Sequence, residues 1–182
     1  MAHKEQRDFI KSVKEKHIKH FDGGSVLDVG SCDLNGNNRE YFSNSKYIGL
    51  DIMEGPNVDV ACPVHKYKPD EKYSVVISTE CLEHDMHYRD SILSMVELTD
   101  QSGLFVFTCA TTGRAEHGTR RTTPSDSLTS KVEGSWSDYY KNLVEEDIRE
   151  VIDVDEIFSD YEFSTHKGHK DLYFWGIKKC LK

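Results

Sequence analysis

The stretch SVLDVGSCDLNG, from Ser25 to Gly36, decides how this chain is read. A short apolar run, Val26 to Val29, stops at Gly30, the pattern of a buried strand entering a turn. NGNNREYF (Asn35 to Phe42) then predicts the start of a helix, and KYIGLDI (Lys46 to Ile52) a second strand ending in an acid. A strand, a glycine turn, a helix and an acid-ended strand follow the order of a nucleotide-binding βαβ unit. Glycine at position 30 lets backbone approach a ligand closely. Asp51 lies about 20 residues past the turn, where a carboxylate accepts hydrogen bonds from both ribose hydroxyls.

Outward from that unit the chain keeps alternating. NVDVAC (Asn57 to Cys62), YSVVIST (Tyr73 to Thr79) and LFVFTCA (Leu104 to Ala110) read as further strands. A helix is expected from about Met86 to Thr99 with Ile92, Leu93 and Val96 facing inward, and Gly103 interrupts after it. Upstream, Ile10, Val13, His17 and Phe21 share one helical face over Phe9 to Phe21, within an N-terminal helical segment 1–22 stopped by Gly23 and Gly24. His17 belongs at the edge of that packed face. Downstream, Asn142 to Ile152 reads as a helix with Asn142 and Glu145 spaced as a capping box and Val144, Ile148, Val151 and Ile152 buried. Ile157 to Thr165 and Leu172 to Lys179 flank Lys167-Gly168-His169 as an antiparallel hairpin. The expected fold is therefore α/β: a Rossmann-like, mostly parallel sheet of about seven strands, a C-terminal antiparallel hairpin, and helices on both faces. One domain spans residues 1–182, and segment 111–140, which shows no period, is either functional or mobile.

Composition narrows the partners. The 182 residues carry 23 Lys and Arg against 32 Asp and Glu, a net charge of -9. That field disfavours nucleic acid and directs attention to a small molecule. No apolar run approaches the roughly 20 residues that span a bilayer, so no membrane contact is expected. The N-terminus lacks the apolar stretch of a secretory signal. Five cysteines without a C-x-x-C pair suit a reducing, cytoplasmic compartment rather than a disulfide framework or a zinc knuckle. Either a monomer or a homodimer is compatible with these features.

Which adenosine ligand the crevice takes follows from its glycines and acids. A dinucleotide site calls for G-x-G-x-x-G so that a pyrophosphate rests on a helix N-terminus. Here the run is Gly30-Ser31-Cys32-Asp33-Leu34-Asn35-Gly36, with one glycine close to the turn and a carboxylate inside it. That acid repels a diphosphate and suits an ammonium and a sulfonium, the two charges of S-adenosylmethionine. No G-x-x-x-x-G-K-[ST] run supports nucleoside triphosphate hydrolysis.

SVLDVGSCDLNG, YIGLDI and YSVVISTECLEH together resemble the successive motifs of class I S-adenosylmethionine-dependent methyltransferases, particularly the small type 11 group. The resemblance covers Ser25 to Ala110 in detail and the rest of the chain loosely. It implies that Asp28, Gly30 and Ser31 line the methionine end of the donor, that Asp51 takes the ribose hydroxyls and that Ile52 packs on adenine. Cys62 to His65 would run beside the adenine edge, with Thr79 and Glu80 under the sulfonium. Glu83-His84 matches the Glu-His pair that commonly follows. The family's usual acid near the adenine amine is replaced by Pro63, leaving the backbone of Val64 for that contact.

The implied function is transfer of a methyl group from S-adenosylmethionine to a small-molecule or saccharide-like acceptor. Alignment supplies much of the rate, and a base helps when the acceptor sheds a proton. Glu83, His84 and His117 are the candidate catalytic groups. Arg114, His117, Arg120 and Arg121 form a basic loop that either grips an anionic acceptor or is a solvated segment. Trp136, Tyr139 and Tyr140 either roof the acceptor pocket or pack in the core. His84 and His87, three apart, would share a helical face, but no third ligand stands at a defined spacing, so no metal site is expected. Two other functions fit less of the sequence: a non-catalytic adenosyl-ligand binding module, and a metal hydrolase using His84, His87 and His117.

Overall fold

The computed structural model describes residues 3–180. A seven-stranded sheet runs β3-β2-β1-β4-β5-β7-β6. Its strands are β1 (Ser25–Val29), β2 (Lys46–Asp51), β3 (Val60–Ala61), β4 (Tyr73–Thr79), β5 (Thr99–Ala110), β6 (Phe158–His166) and β7 (Asp171–Lys178). The first five pair in parallel, while β7 is antiparallel to β5 and β6. This is the expected mostly parallel sheet closed by an antiparallel hairpin.

Alternation along the strands divides the core. Val26, Val75, Ile77, Leu104, Val106 and Trp175 point to one face, where Ile10 and Val13 of α1 (Lys4–Lys16) cover them. Leu27, Val76, Phe105, Phe107 and Phe174 point to the other, beneath α2 (Tyr88–Leu98), α3 (Glu145–Arg149) and α4 (Val154–Ile157). Central strands buried on both faces account for the near-continuous apolar runs.

Several expected boundaries move. The first helix begins at Lys4, where His3 caps it through Nδ1, and ends at Lys16. His17 follows the helix and packs its ring against Trp175, at the core edge as expected. Phe21 is buried by a fold-back after a 3-10 turn at Ile18–His20. Asn35 to Phe42 forms only a 3-10 turn, Arg39–Tyr41. Asp33 accepts from Gly36 N–H at 2.7 Å and from the Asn37 amide, also at 2.7 Å, and Asn37 accepts from Arg39 N–H at 3.0 Å. These side chains occupy the amides a helix would have used.

Only Val60–Ala61 of the third stretch pairs as strand, because Asn57 turns the chain with φ 66°. β5 starts at Thr99, five residues early, with a register shift opposite Tyr73/Val75 absorbing the turn at Ser102 and Gly103. Leu93 is 49 % exposed, since Tyr88, Ser91, Ile92 and Met95 carry the inner face of α2. The helix expected over Asn142 to Ile152 shrinks to α3, and its cap shifts by two residues: Asp147 Oδ2 accepts from Val144 N–H at 3.0 Å. Ile148 and Ile152 are buried as expected, Val144 and Val151 only partly. Segment 111–140 holds three 3-10 turns (Pro124–Asp126, Leu128–Lys131 and Ser135–Asp138) and buries Thr119, Leu128 and Ser137, so it packs on the domain. Among the described residues no helix is long and apolar enough to cross a membrane.

Candidate active site

Parallel register brings the carboxyl ends of β1, β2 and β4 to one edge, where Val29 lies beside both Leu50 and Ser78. A cleft opens there, at the edge where open α/β sheets bind ligands. Asp28, Gly30, Ser31, Asp51, Ile52, Val64, Thr79 and Glu80 all line it.

Gly30 has φ 78°, and a Cβ built on it would sit 2.4 Å from Cys81 Sγ. Only glycine fits that turn. Its N–H donates to Leu50 O at 2.8 Å, as does that of Ser31 at 3.2 Å, so the turn is pinned on β2. The Ser31 hydroxyl donates to Asn57 O at 3.1 Å, fixing the turn from inside. Asp28 is buried and accepts from the Tyr47 hydroxyl and from Asn38 Nδ2. Burial pushes its carboxyl up to about 6 against the pull of those two hydrogen bonds. Asn38 Nδ2 also reaches Thr79 Oγ1 at 3.1 Å, tying the ends of β1 and β4 together.

Asp51 closes β2. Its Oδ2 accepts from Cys32 N–H at 2.9 Å and its Oδ1 from Ile52 N–H at 2.7 Å. Each oxygen keeps a lone pair for a further donor. Ile52, Cys62, Pro63 and Val64 form an apolar wall beside it. Glu80, at the end of β4, adopts φ 53°, the left-handed region that a side chain enters only at a cost. Its N–H donates to Thr108 O at 2.9 Å, and the Thr108 hydroxyl donates to Oε1 at 2.9 Å. Burial raises the Glu80 carboxyl.

Beyond Glu80 a 3-10 turn, Leu82–His84, carries Glu83 and His84. His84 lines the cleft. Glu83 Oε1 stands 4.0 Å from His84 Nε2, and the His117 ring meets that of His84 edge-on at 4.9 Å. Gly118 permits this approach: with φ 65°, a Cβ there would fall 2.6 Å from His84 Cε1. Tyr140 stands 5.0 Å from the His117 ring. Burial and the Glu80 charge push the Glu83 carboxyl up to about 8. Burial and His117 hold His84 well below the usual imidazole range, so its ring is uncharged at neutral pH.

His87 does not join them. Asp85 leaves the 3-10 turn in an extended conformation before α2 begins, and His87 packs on His65 at 4.7 Å and on Trp136 at 5.1 Å. The shared helical face expected of His84 and His87 therefore does not form. Trp136 lines the cleft and donates from Nε1 to His84 O at 2.9 Å. With Ser127, Leu128 and Thr129 it makes the second wall, all from the segment without a period. The basic loop is internally paired: Arg114 with Asp171, Arg120 with Asp138, Arg121 with Glu116. Sequence reasoning missed Asn38 and the Leu128–Thr129 wall, and nothing in their spacing announces either.

No protein-family model matches the chain, and no curated protein matches it. Solved structures do. The 1,6-didemethyltoxoflavin-N1-methyltransferase of Burkholderia thailandensis, with S-adenosylhomocysteine bound, superposes with a TM-score of 0.61 at 16% identity, covering 96% of this chain and 87% of that one. The fold is that of the class I S-adenosylmethionine-dependent methyltransferases. The N-methyltransferase NodS of Bradyrhizobium japonicum, in complex with S-adenosylhomocysteine, gives a TM-score of 0.60 at 13% identity over 96% of this chain and 87% of its own. Magnesium protoporphyrin IX methyltransferase of Synechocystis, with its methyl donor bound, gives 0.61 at 14% identity over 96% and 80%. This methyltransferase fold places the cleft at the carboxyl edge of the sheet, where open α/β sheets bind ligands.

Proposed function

We propose that the protein transfers a methyl group from S-adenosylmethionine to a small-molecule or saccharide-like acceptor. One observation carries the reading: among the described residues the cleft is lined by Asp28, Asp51, Glu80, Asp85 and Asp126 and by no Lys or Arg. Such a lining repels a diphosphate and favours a ligand bearing a sulfonium and an ammonium. The Gly30 turn, with no room for a side chain, fits the close approach of that ligand's methionine end. Asp51 would hold the ribose hydroxyls on its remaining lone pairs, and Ile52, Pro63 and Val64 would flank adenine. Asp28 and Ser31 act from behind, holding Asn38, Tyr47 and the Gly30 turn in place. Bound there, S-adenosylmethionine supplies a methyl group on a good leaving group. A hydroxyl or amine acceptor must shed a proton, and uncharged His84, on the cleft wall with Glu83 and His117 beside it, offers a lone pair for it.

Isothermal titration with S-adenosylhomocysteine tests the donor site. One equivalent is expected to bind, and Asp51→Ala to weaken it by about tenfold or more, from lost hydrogen bonds to a charged group. Equal binding by the variant, or a preference for a dinucleotide, would refute the assignment.

A further inference from the structure

We propose that Glu83, His84 and His117 together bind one divalent transition-metal cation at the acceptor end of the cleft. One ligand atom from each of the three lies within 4.8 Å of the others. Ligand bonds of about 2.0–2.2 Å around one ion place donor atoms roughly 3–4 Å apart, so a small closing motion completes the set. Glu83 is 0 % exposed, and among the described residues neither of its carboxylate oxygens has a hydrogen-bond partner. His84 is 2 % exposed, and among the described residues both its ring nitrogens lack a partner, as do His117 Nε2 and the Tyr140 hydroxyl. Native interiors seldom leave one such group unsatisfied, and a cluster of them around one point indicates a missing partner.

The donor set selects the partner. Two imidazoles and one carboxylate suit manganese, iron, nickel or zinc, while magnesium and calcium prefer oxygen alone. Three protein ligands also leave a coordination position for water or an acceptor oxygen. The third ligand comes from chain far from the Glu83-His84 pair, which is why fixed spacing does not reveal it. Gly118 makes the convergence possible by admitting the His117 segment onto the His84 ring. Binding of the cation stands independently of methyl transfer; its use in holding an acceptor beside the donor rests on that reading. Because it takes up the one lone pair of neutral His84, the cation then replaces His84 in easing proton loss from the acceptor.

The test uses the full chain, stripped with chelator, dialysed, and titrated calorimetrically with Mn2+ and Zn2+. One equivalent of either is expected, weakened at least tenfold by His117→Ala and unchanged by His169→Ala, which removes the separate His3–Glu5–His169 group. Should His117→Ala fail to fold, sub-stoichiometric Mn2+ on the wild-type chain is expected to broaden the His84 and His117 imidazole resonances ahead of those of His169. No binding by either cation, loss of binding with His169→Ala in place of His117→Ala, or broadening confined to His169 would overturn the proposal. S-adenosylhomocysteine titrated into the same metal-free sample separates the two readings, since its binding without metal binding leaves the donor site standing and removes this one.

Discussion

The cleft and the side-chain cluster around its His84 wall are built on opposite principles. Around the Gly30 turn, Asp28, Ser31, Asn38 and Asp51 spend their polar atoms on one another and on backbone, and the result is a stiff turn. Around His84, the residues Glu83, His117 and Tyr140 are packed together, and among the described residues polar atoms of all four are left unpaired. Internal satisfaction holds a shape in place before any ligand arrives. Unpaired groups at the same depth are costly unless a ligand completes them. A binding site for a constant donor and a site awaiting something further are thus distinguishable by where hydrogen bonds end.

That contrast can be broken experimentally. The largest effect is expected from Gly30→Val, which must enter a left-handed conformation and strike Cys81. It is predicted to abolish S-adenosylhomocysteine binding and lower stability by about 1–3 kcal/mol, read by calorimetry and chemical denaturation. A folded variant that still binds would show that the turn is not stiff. Next, Asn38→Ala removes the tie between Asp28 and Thr79. A loss of about 1–3 kcal/mol is expected from the unsatisfied buried carboxyl, with donor affinity falling less than in Asp51→Ala.

The most discriminating effect, small at each step of pH, is a pH slope. Burial raises the Glu83 carboxyl from its unfolded value near 4.5 to about 8. The folded state therefore holds a proton that the unfolded state has lost across that window. Its stabilising contribution is complete below the unfolded value and disappears as pH rises through about 8. In chelator, stability of the wild-type chain should fall between about pH 5 and 8 and level off above that, with a slope of at most about 1.4 kcal/mol per pH unit from this group. Glu83→Gln should flatten that component. Parallel curves for the two proteins would mean that Glu83 is ionised and already partnered.

Much of the donor half was readable because its determinants are local. Gly30 marks a turn, Asp51 ends an apolar run, and near-continuous apolar runs mark the strands buried on both faces. The helix expected after β1 shows the limit of such local signals: NGNNREYF reads as a helix start, but Asp33 and Asn37 compete for the amides. Leu93 failed for a related reason, since two registers of the apolar period were available and packing selected the one containing Met95.

The sequence by itself determined the sheet, its hairpin closure, and the acid and glycine at the donor edge, because each depends on neighbours within a few residues or on a period of two. Only the tertiary structure decided that His117 and not His87 meets His84, that the basic loop is internally paired, and that a segment without periodicity forms a wall of the cleft. Those outcomes depend on contacts between residues tens of positions apart, and irregular backbone carries no repeating signal from which such meetings can be read.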